Sequence, residues 1–155
     1  MNHVLNAESG HLNVSPSAFH MWATHYYKCK QDFRVPGNFS PVPYFLLCRA
    51  IELELKSRHL VAKSQQAVKD EFWHDLLTAY DALPKQEKSL DKNERSTLGV
   101  ANEIYKGKGF EYFRPEHAAH GYSQFPDLAA LDAIARKLIA QTTNGNLEPT
   151  AGSGS

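Results

Sequence analysis

Two cysteines in 155 residues are too few for the common cysteine chemistries. Cys29 and Cys48 form no CxxC pair, so neither a zinc site nor a thioredoxin motif is expected. They fall on separate predicted helices, which points to two free, partly buried thiols in a cytosolic protein. Net charge is lacking as well. Lys plus Arg number 17 and Asp plus Glu number 17, giving +0 at neutral pH. That balance argues against a basic, nonspecific nucleic-acid coat and leaves a local basic site open. No apolar run approaches the roughly 20 residues that span a bilayer. At the N-terminus no basic segment precedes an apolar run, so no signal peptide is expected. No useful stretch alternates as a strand does, and no internal repeat is visible. Lys106-Gly107-Lys108-Gly109 lacks the Gly-Lys-Ser/Thr ending and the preceding strand of a P-loop.

What remains is an ordinary globular composition, with 42% hydrophobic and 22% charged residues, long enough for one domain with a core. Helical signals dominate. Ser15-Pro16 is a helix start, with Ser as cap and Pro in the first turn. Ala18, Met21, Trp22, His25, Tyr26 and Cys29 follow at spacings of three and four, an apolar stripe ending near Gln31-Asp32. A second start at Ser40-Pro41 opens the most apolar helix, from Val42 to about Val61, which reads as central and buried. Residues 63–70 are mostly polar. A third helix is expected from Phe72 to Leu83, a fourth from about Asp91 to Tyr105 and a last from Pro126-Asp127 to Asn144-Gly145. The expectation is an all-α, up-and-down antiparallel helical bundle of about five helices at 15–145. A flexible lead-in at 1–14 and a flexible tail at 146–155 flank it.

The stretch Arg114-Pro115-Glu116-His117-Ala118-Ala119-His120 carries the most chemistry. Arg holds phosphate through a planar fork, and His moves protons near neutral pH. A helical turn after Pro115 would put His117 and His120 on one face, with Arg114 beside them. His120 would be the base or acid and Arg114 the phosphate clamp, which needs no metal. The bland alternative is a surface loop whose Arg114 pairs with Glu111 or Glu116. Glu52 and Lys56 have the favourable order for a helix ion pair, read as a surface pair, and Arg49 could also pair with Glu52. Asp75 of His74-Asp75 suits a helix start. His20 and His25 are five apart and make a poor chelate. The aromatics from Tyr105 to Phe125, interleaved with Lys106, Lys108 and Arg114, could stack bases or anchor a long connection.

Ala50-Ile51-Glu52-Leu53-Glu54-Leu55-Lys56, then His74-Asp75-Leu76-Leu77, then Tyr112-Phe113-Arg114-Pro115 before the last helix, resemble the HEPN family of helical domains over roughly residues 40–140. The resemblance implies a helical bundle, often dimeric. Many members are metal-independent ribonucleases of toxin–antitoxin, phage-defence or CRISPR systems, with an Arg and a His four to six residues apart. Arg114 and His120 have five residues between them. The resemblance also places Glu52 and Lys56 beside the active groove, where Glu52 orients His or Arg. The expected protein is cytoplasmic and homodimeric, needs no cofactor or metal, and acts on RNA, with an antitoxin as protein partner and no membrane. The rival expectation is a non-catalytic module of the same fold. Its groove around Arg49, Glu52 and Arg114 would hold a nucleotide, a nucleic acid or a protein partner.

Overall fold

A computed structural model of the chain describes residues 15–145. The expected flexible ends, 1–14 and 146–155, lie outside the described residues. Every long element among them is helical and none is a strand, so the fold is all-α. The helices are α1 (Pro16–Asp32), α2 (Val42–His59), α3 (Gln65–Phe72), α4 (Leu76–Asp81), α5 (Lys92–Lys106), α6 (Pro115–Ala119) and α7 (Leu128–Gly145), with a 3-10 turn at Lys85–Glu87. None of them is long and apolar enough to cross a membrane.

Seven α-helices among the described residues correct the expectation of about five. The expected single helix from Phe72 to Leu83 is two, and Phe72 ends one rather than starting it. Ser64 caps α3 by accepting from the Ala67 amide, and Val68 and Phe72, four apart, bury one face of an otherwise polar segment. Two large apolar residues in eight are a weak pattern, which is why the segment reads as a connection. Trp73 then adopts φ 45°, a conformation that a bulky side chain rarely takes and that ends the helix. Asp75 restarts the chain by capping α4 through the Thr78 amide at 3.0 Å. The turn expected after Pro115 is α6, five residues long.

α2 is the centre of the molecule. Twelve of its eighteen residues are buried, and it packs against α1, α4, α5 and α7. Leu47, Ile51 and Leu55 meet Phe72, Leu76, Leu98, Leu131, Ile134 and Leu138 in one core. Each such side chain contributes about 1.5–3 kcal/mol by leaving water. A helix buried this widely must pair its polar residues, and Glu52, Glu54, Ser57 and His59 all have partners.

α1 docks differently from its apolar stripe. Ala23 is its one fully buried residue, whereas Met21, Trp22, His25 and Cys29 are exposed. The docked face is largely polar. His20 bonds Glu54 at 2.7 Å, the Ser57 hydroxyl donates to the Pro16 carbonyl, and Tyr27 and Lys30 both reach Asp132 on α7. These directional contacts set the rotation of α1 and turn much of the stripe outward.

The connection from Gly107 to Asp127 is pinned by aromatics. Phe110 is buried and stacks on Tyr44, while Phe125 meets both edge-on. Tyr122 stacks on Phe39 at 4.1 Å. Gly109 is required here, because a Cβ would lie 2.6 Å from Ile104 Cγ2 and 3.3 Å from His117 Cε1.

Candidate functional site

Glu52 is 2% exposed and is no surface residue, contrary to the expectation for the Glu52–Lys56 pair. The physical reason is the helix it stands on, which has neighbours on most sides. Its carboxylate accepts from Lys56 Nζ at 2.7 Å, Arg49 Nη1 at 3.1 Å, His74 Nδ1 at 3.0 Å and the Tyr105 hydroxyl. Burial pushes its pKa up, but Lys56, Tyr105 and Arg49 together outweigh burial and hold it below the ordinary carboxylate value. Burial and the Glu52 charge push the Tyr105 phenol well above its ordinary value, so it stays a donor. Arg49 is disfavoured by burial, yet Glu52 raises its pKa and secures its charge.

This hub forms one wall of a cleft of about 480 Å³, within the range of small-molecule sites. α1 supplies Ala18, Phe19 and Trp22, α2 supplies Arg49, Glu52, Leu53 and Lys56, and the α3–α4 segment supplies Val68, Lys69, Trp73 and His74. Both tryptophans of the chain line it, and both are exposed, Trp22 at 55% and Trp73 at 61%. Trp73 is held in its unusual backbone conformation by Lys56, which donates to its carbonyl at 2.5 Å. Its ring lies 5.0 Å from that of His74, edge to face, and 5.9 Å from Lys69 Nζ. Three cations, Arg49, Lys56 and Lys69, stand against the single carboxylate of Glu52, so the wall favours an anion. An ionised Glu52 can only accept, so the His74 nitrogen facing it, Nδ1, is the one that donates.

Arg49, Glu52 and Lys56 are therefore brought together, and His74 joins them. Arg114, His117 and His120 do not line this cleft. Arg114 caps α6 with its backbone, donates to the Gly107 carbonyl and stands 4.0 Å from Glu116, one of the two carboxylates named as its surface partners. His117 packs edge-on against Phe125 at 5.5 Å. His120 ends α6, is exposed, and has no side-chain hydrogen bond among the described residues. Tyr112 and Phe113, at 67% and 75% exposure, project beside Arg114.

Sequence reading missed Trp22, Lys69, Trp73 and His74 as parts of a site, and it grouped Tyr105 with the aromatics of the following connection rather than with Glu52. Trp22 belongs to a stripe that looks like core, and Lys69 lies in a segment that looks like a loop. No family model matches the chain, and no curated protein or solved structure is detectably similar to it.

Proposed function

We propose that this chain is a HEPN-like helical binding module whose ligand is a nucleotide, held in the cleft between α1, α2 and the α3–α4 segment. The observation that carries the reading is the placement of both tryptophans on a cleft walled by Arg49, Lys56 and Lys69. An indole face stacks a base of any sequence for about 1–3 kcal/mol, and Arg and Lys hold phosphate through charge-assisted bonds. The test is direct, since the only tryptophans of the chain are reporters. AMP added to the full chain should change tryptophan fluorescence saturably. No change up to about 1 mM, where binding is worth about 4 kcal/mol, would count against it.

A second reading is a metal-independent endoribonuclease of toxin–antitoxin or phage-defence type, working as a cytoplasmic homodimer through Arg114 and His120. The exposure of both residues, next to the projecting Tyr112 and Phe113, favours it. Such a protein cleaves single-stranded RNA in EDTA and stops when Arg114→Ala or His120→Ala is made. Cleavage that survives both substitutions removes this reading.

A further inference from the structure

We propose that His74 is a nucleophile that accepts a phosphoryl group at Nε2, making the cleft a phosphoryl-transfer site rather than a binding site alone. The inference rests on the cleft being where an anionic ligand sits. Its own support is the chemistry of the wall. Glu52 fixes the ring through Nδ1 at 3.0 Å, and Tyr105, Arg49 and Lys56 in turn fix Glu52. A carboxylate behind a histidine orients the ring, raises the basicity of the far nitrogen and stabilises the cationic ring that forms on attack. Among the described residues no Ser, Thr or Cys lines the cleft, and His74 brings the only imidazole to its wall. Arg49, Lys56 and Lys69 stand nearby for the oxygens of the group transferred.

The donor class is a small phosphoryl compound with a good leaving group, such as a phosphoramidate or an acyl phosphate. With phosphoramidate the step balances simply. Phosphoramidate reacts as its zwitterion, with three hydrogens already on nitrogen; the Nε2 lone pair forms a nitrogen–phosphorus bond, the bond from phosphorus to the ammonium nitrogen breaks, and neutral ammonia leaves with that electron pair. The Nδ1 proton stays on the ring, which becomes cationic opposite Glu52.

The experiment treats the full chain with potassium phosphoramidate, then maps phosphorylated peptides under neutral conditions. His25 and His120 are internal controls, both exposed and neither bonded to a carboxylate among the described residues. His74 should label faster than either by roughly 10- to 100-fold, taking as a guide the weight of hydrogen-bond partners behind metal-bound histidines. His74→Gln should lose that fast phase, and AMP should slow it. Labelling of His74 no faster than His25 and His120, or none at all, overturns the proposal even when AMP still binds. Fast labelling of His74 without AMP binding upholds it and removes the nucleotide reading instead.

Discussion

Glu52 and Glu54 stand two residues apart on α2 and are both almost fully buried, at 2% and 0% exposure. Residues at that spacing point to opposite sides of a helix. Glu54 turns toward α1 and α7, where it accepts from His20 and the Thr142 hydroxyl, with Arg58 at 3.8 Å. Arg58 is itself spent on the Leu138 and Glu87 carbonyls. That cluster joins three helices, and its His20, Arg58 and Thr142 also border a second cleft of about 950 Å³. Glu52 turns toward the cleft. One of its partners, His74, keeps a ring nitrogen without a hydrogen-bond partner among the described residues, and another, Lys56, also holds Trp73. The difference is not in burial or residue type but in what the partners do next: those of Glu54 bond onward to carbonyls and hydroxyls of other helices, while those of Glu52 hold the segment that carries Trp73 and His74.

The strongest way to break this comparison is to remove Glu54. Glu54→Ala strands Arg58 and His20 and should cost about 3–5 kcal/mol in urea unfolding. It should leave AMP affinity unchanged in the protein that still folds. A loss below about 1 kcal/mol would show that the cluster does not fasten α1. Next in size is the cleft itself. Trp73→Ala should weaken AMP by about 1–3 kcal/mol, read by calorimetry, and Trp22→Ala should act in the same range. Unchanged affinity in both would remove the stacking role.

The pH response should report on Glu52 in particular. The folded pKa of Glu52 is lowered, so its contribution is present above the unfolded value of about 4.3 and is lost as pH falls through the lower folded value. Urea unfolding followed from neutral to acid pH should show declining stability there, and Glu52→Gln should flatten that decline. An equal decline in the variant would assign it to other carboxylates. The smallest effect is expected at the exposed motif. Arg114→Ala and His120→Ala should each shift stability by no more than about 0.5 kcal/mol, so any loss of RNA cleavage in them reports function.

Much of the fold was legible because it rests on local signals. Ser15 and Pro16 start α1 as read, and Leu131, Ile134, Ala135 and Leu138 face the core from α7. The break at Trp73 was not legible, because nothing in the side chains near it is a helix breaker. It depends on Lys56, seventeen residues away, and on the Asp75 cap. The site was legible only in part. Arg49, Glu52 and Lys56 share one face of one helix, so their spacing announces a cluster. His74, Trp22 and Tyr105 join it from three other segments, and no spacing relates them.

By itself the sequence determined the helical class, the centrality of α2 and the ends of most helices, because caps, prolines and apolar periodicity act within a few residues of chain. Tertiary structure decided which face of α1 looks inward, that Glu52 is buried, and that both tryptophans line one cleft with three cations. Those outcomes depend on polar contacts between segments far apart in the chain, such as His20 with Glu54 and Tyr105 with Glu52. Such contacts carry no periodic trace, and they settle which of two similar glutamates ties α2 to α1 and α7 and which ties it to α5 and the α3–α4 segment.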